Sequence, residues 1–112
     1  MKKINYNFSN EDVETIIFCL KIIPFVKFDD VNPVQQSINL SLCYSALEKL
    51  SARDLEAITP NEVRIMMISI DVAQLIISNQ LPYEILEGAD TDLTPYIFSV
   101  NKLINGFCSQ LT

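Results

Sequence analysis

Arg64, Asp71 and Gln74 are the residues whose types and spacing come nearest to a chemical site. They share one narrow stripe of a segment, Val63 to Ile77, that is otherwise almost continuously apolar. At 100° per residue they line one side of a helix, and Tyr44 offers a hydroxyl that a neighbouring helix could bring to them. A guanidinium, a carboxylate and an amide converging in an inter-helix pocket would bind a small polar ligand, or let the carboxylate work as an acid or base. Asp71 lies one turn from Gln74 and two from Arg64. It is either one member of a solvated stripe or a partly buried carboxylate hydrogen-bonded across a helix pair.

Composition closes off most other chemistry. The chain has no histidine, which removes the usual serine, cysteine and zinc hydrolases and any histidine base. It has no GxGxxG and no GxxxxGK to cradle a nucleotide phosphate. Asp29-Asp30 falls between helices, where paired acids serve as solvated loop residues or caps. Asp90-Thr91-Asp92-Leu93-Thr94 opens like a calcium loop, but Pro95 stands where that loop needs glycine and Asn101 where it needs a bidentate glutamate. Cys19, Cys43 and Cys108 are odd in number, far apart and set in apolar neighbourhoods without a CxxC pair. That is how small buried hydrophobes are used in a reducing compartment. No metal, no cofactor, no disulfide and no catalytic residue is expected.

Charge narrows the partners. The net charge of −6 belongs wholly to the second half, where Asp54, Glu56, Glu62, Asp71, Glu84, Glu87, Asp90 and Asp92 face only Arg64 and Lys102. Such a surface repels nucleic acid and anionic membrane and suits a basic protein. A helix-turn-helix over Ser51–Ile70 would put a single arginine among acids and isoleucines, too little to neutralise phosphates. No segment reaches the ~20 apolar residues of a membrane span. Lys2 and Lys3 lead into polar residues rather than the apolar core of a signal peptide, so a cytoplasmic location is expected.

The elements that would position these residues are helical throughout. Apolar content of 49% with only two glycines over 112 residues predicts a single all-α domain. Start signals recur: Ser9 with Asp12, Asn32-Pro33 with Gln35, Ser51 with Asp54, and Thr59-Pro60 with Glu62. They predict a compact bundle of four main helices at about 10–23, 33–50, 60–79 and 93–111. Short helices are expected at 52–58 and over Pro82–Glu87, closed by Gly88. Thr94-Pro95, or Asp92 as cap, would begin the last helix, whose seam runs Leu93, Ile97, Val100, Ile104, Phe107, Leu111. Helix 60–79 is apolar around most of its circumference, as the centre of a fold must be. No internal repeat is visible.

An apolar surplus remains. Phe18, Ile22, Ile38, Leu42 and Phe98 all lie off the main faces of their helices. Either a two-layer packing covers them internally, or they form contiguous surface for a partner. The second option predicts a non-catalytic protein–protein interaction module, of the adaptor, inhibitor or immunity kind, acting as a homodimer, with a basic protein as a further partner. A small-ligand-binding bundle, or an enzyme using carboxylates in an inter-helix pocket, is the alternative.

Overall fold

Three of the four main helices begin where a side-chain cap places them, and the last begins without one. In the computed structural model, which describes residues 7–111, α1 spans Asn10–Ile22, α2 Pro33–Ser51, α3 Pro60–Ile77 and α4 Ile97–Asn105. Ser9 and Thr59 close full capping boxes: each hydroxyl accepts from the amide three residues on, and the Asp12 or Glu62 carboxylate returns the bond. Asn32 Oδ1 accepts from the Gln35 amide at 2.8 Å, with Pro33 at the first helical position. Ser51 does not cap. It is the last residue of α2, and Arg53 at φ 58° then turns the chain. The short helix expected at 52–58 is therefore a single 3-10 turn, Leu55–Ala57.

Two further segments depart from expectation. Pro82–Glu87 contains a strand, β2 (Glu84–Ile85), which pairs antiparallel with β1 (Val26–Lys27) after α1. The segment finds its hydrogen bonds on another strand, so it has no need of a helical turn. The last helix is broken into a 3-10 turn Thr94–Tyr96, α4, and a 3-10 end at Cys108–Leu111. Winding three residues per turn at its start puts Leu93 out of phase with Ile97. Leu93, Val100, Leu103 and Phe107 are buried, while Ile97 is exposed.

The four helices form an all-α bundle with α3 at its centre, packed against α1, α2 and α4. Its stripe of Arg64, Asp71, Gln74 and Ser78 is exposed, and the rest of its circumference is wholly or partly covered. The interior holds Ile16, Leu20, Leu50, Met66, Ile70 and Phe107.

The structure also carries a repeat that residue identity hides. Positions 10–23 and 60–73 have the same degree of burial at every step. Both helices open with a Ser/Thr box whose acid is buried, and each acid meets a lysine, Lys49 for Glu62 and Lys102 for Asp12. A short strand follows each helix, and the two strands pair with each other. The halves α1–β1–α2 and α3–β2–α4 thus follow one plan. Val13 and Val63 are the only identical pair over those helical stretches, which is why the sequence shows no repeat.

Candidate functional site

Buried polar groups are the first place to look for chemistry, and here they are consumed by the fold. Glu62 is 1% exposed and accepts from Lys49 Nζ at 2.7 Å, the Thr59 amide at 2.8 Å and the Ser45 hydroxyl. Thr15 and Ser69 donate to carbonyls within their own helices, and Ser99 donates to Glu11. No buried side-chain nitrogen or oxygen among the described residues lacks a partner.

The acidic loops behave likewise. Asp90 and Asp92 turn their carboxylates onto backbone amides two residues ahead, and Asp30 accepts from the Tyr83 hydroxyl. These are turn and cap geometries. The described residues contain no group of three or more acids or cysteines placed to hold a metal ion. All three cysteines are free, and burial pushes the Cys19 and Cys43 thiols up to about 12 and about 11. No described helix is long and apolar enough to cross a membrane.

What the fold leaves open is the front half of α2. Residues 33–42 contain no buried side chain; Cys43, Ala46 and Leu50, all further on, anchor the helix. Val34 is 71% exposed and Ile38 49%. With Leu42 they form one stripe at i, i+4 and i+8, about 12 Å long at 1.5 Å per residue. Beside the stripe runs a groove between α2 and α3, of about 230 Å³. Ile38 and Leu42 line it from α2, and Ile65 and Ile68 from α3. Arg64, Asn61, Gln35 and Asn39 supply its polar atoms. Sites for drug-sized ligands run to ~300–1,000 Å³, whereas this groove has room for a few side chains.

The residues singled out from the sequence separate into three groups. Ile38, Leu42 and Arg64 come together in this groove. Phe98, at 79% exposure, is uncovered on α4. Ile22 is 1% exposed, so it belongs to the core and offers nothing to a partner; α1 is flanked by α2, α3 and α4 and buries more of its circumference than one face. Phe18 is half-buried against Tyr96, with ring centroids 4.6 Å apart. Gln74 and Asp71 remain on the exposed stripe and do not line the groove with Arg64, and Tyr44 is exposed elsewhere on α2. The inter-helix constellation of Arg64, Asp71, Gln74 and Tyr44 is not assembled. Val34 and Ile68 escaped sequence reasoning, although Val34 stands one turn before Ile38 on the same stripe.

Asp71 nevertheless has an unusual environment. Apolar surroundings raise its pKa above the ordinary carboxylate value, and its charge adds to the burial that lifts the Cys108 thiol to about 11. A carboxyl whose folded pKa is raised weakens folding once it is ionised, and the loss is recovered as pH falls through that pKa. Asp71→Asn is therefore expected to melt slightly above the parent at neutral pH, the two converging on acidification. A lower melting temperature for the variant would reveal a hydrogen-bonded carboxylate instead.

Compared with protein-family models, curated proteins and solved structures, the chain matches none.

Proposed function

We propose that the protein works without catalysis, by binding another protein chain through the face made by the front half of α2 and the adjoining wall of α3. One observation carries this: ten residues of helix contain no buried side chain, and on them Val34 and Ile38 stand exposed in line with the half-buried Leu42. Isolated apolar residues are ordinary on a surface, but a straight stripe beside a groove is the geometry that receives a partner's side chains. The consumption of the buried polar groups by caps and helix ties supports the same reading.

The acidic second half extends it. Asp54, Glu56, Glu84, Glu87, Asp90 and Asp92 are all exposed, a field that would draw a basic protein to the molecule. Three free cysteines with raised pKa values are at home in a reducing compartment, and we place the protein in the cytoplasm.

Ile38→Asp tests the proposal. Ile38 is half exposed, so the variant is expected to melt within a few degrees of the parent. It is also expected to lose its partners, whether measured by the mass of the purified protein or by capture from the native host alongside the parent. Equal association by parent and variant would remove this face from the function.

A further inference from the structure

We infer that the occupant of the α2–α3 face is a second copy of this chain, with the front halves of two α2 helices laid antiparallel across a twofold axis near Ile38. The inference rests on reading this face as a protein-binding surface, and it commits that surface to one partner.

Charge is the first argument. Residues 31–47 contain no Asp, Glu, Lys or Arg, the longest such run in a chain that is 20% charged and carries −6 overall. Two copies of an acidic molecule repel wherever their charged faces approach. The exposed front of α2 is a face on which they can meet without bringing like charges into contact. A surface evolved for a basic protein would instead carry acids, as residues 84–92 do.

Symmetry is the second. In an antiparallel pair centred on Ile38, each Ile38 meets its own copy and Val34 meets Leu42 of the other chain. The stripe is apolar at both ends and in the middle, so it is complementary to itself under that operation. The flanking Gln35 and Asn39 are amides, and Gln35 Nε2 donates to Asn39 Oδ1 at 3.0 Å. In this register Gln35 meets Ser41 and Asn39 meets Ser37 of the other chain, and an amide, which both donates and accepts, can bond either hydroxyl with no charge to neutralise. Arg64 is the only charged residue lining the groove and makes no ion pair or hydrogen bond among the described residues. It stands towards the carboxyl-terminal end of the stripe, since its neighbour Glu62 is bonded to Ser45 and Lys49. The antiparallel arrangement sends the two guanidiniums to opposite ends of the seam. Each then faces the acidic lead-in to the other copy's α2, Asp29-Asp30.

Area is the third. A stable interface needs ~800 Å² from each partner, more than a ~15 Å length of one helix supplies. The groove wall of α3, with Ile68, completes the surface, and the groove is of a size to accept side chains from the other copy's stripe.

The test uses the full chain. At tens of micromolar, light scattering is expected to give twice the 12.7 kDa chain mass. Ile38→Asp should give a folded monomer, its dissociation constant raised at least a hundredfold. Ile38→Cys should be joined into a covalent dimer by a short bis-maleimide. Cys19 and Cys43 are buried and Cys108 half-buried with its thiol pushed up to about 11, so the parent should stay unlinked. A parent of single-chain mass overturns the inference, as does a dimer indifferent to Ile38→Asp or an Ile38→Cys dimer that the reagent fails to join. A monomeric parent that still captures a host protein through Ile38 would overturn this inference and leave the proposed function standing.

Discussion

Ile70→Asp is expected to leave no folded protein at 25 °C, seen as loss of helical circular dichroism and of any cooperative melt. Ile70 is fully buried on α3, which packs more extensively against the other three helices than α1 does. Removing the side chain costs ~2–5 kcal/mol in lost burial and cavity, and an aspartate with no partner there adds several more. A small domain's whole stability is ~5–15 kcal/mol. Val63→Asp should act in the same direction but less completely, because Val63 keeps 8% exposure at the edge of the core. Gln74→Asp, on the exposed stripe of the same helix, should melt within a few degrees of the parent. A well-folded Ile70→Asp would mean that α3 is not the centre of the molecule.

That centrality could be seen in the sequence. An apolar arc broken only by Arg64, Asp71, Gln74 and Ser78 requires neighbours on most sides, and the cap signals at Ser9, Asn32 and Thr59 set where three helices start. Local hydrogen bonding and periodicity act within one turn of chain, so they are legible. What they cannot reveal is how many neighbours a helix has. Ile22 and Ile38 looked alike as off-face apolar residues, yet Ile22 is core because α1 is flanked by three helices. Ile38 is surface because the front of α2 extends past its anchors at Cys43, Ala46 and Leu50. The strand at Glu84–Ile85 was hidden for a related reason: a two-residue ladder is decided by its distant partner, Val26–Lys27, and not by its own pattern. The candidate face was legible at Ile38 and Leu42, while its α3 wall depended on tertiary placement.

The second large effect concerns what holds α2 in place. Glu62 accepts from Lys49 and Ser45 of α2 while capping its own helix at Thr59, so one carboxylate ties the back half of α2 to the start of α3. Burial alone would raise its pKa from 4.5, but the bonds from Lys49, Ser45 and Thr59 outweigh that and hold it at about 2. Because the folded pKa is depressed, the stabilisation is complete above the unfolded value. It is lost as pH falls from there towards the folded one. A shift of this size is worth about 3 kcal/mol. The parent's melting temperature is therefore expected to drop steeply between about pH 4.5 and 2. Glu62→Gln should be less stable at neutral pH by a similar amount and should flatten that acid limb, since no charge remains there to neutralise. Lys49→Met should be worse, at ~3–5 kcal/mol, because it leaves the buried carboxylate without its cation. An unchanged acid limb in Glu62→Gln would show that other carboxylates carry the acid sensitivity. The tie also bears on function. Lys49 donates to the Ala57 carbonyl as well, at 2.9 Å, so among the described residues the side-chain hydrogen bonds that tie α2 to other elements all lie beyond residue 42. Clamped at its back half alone, the helix presents its uncharged front to whatever binds there. Loosening the clamp should weaken association at a pH where the fold itself still survives.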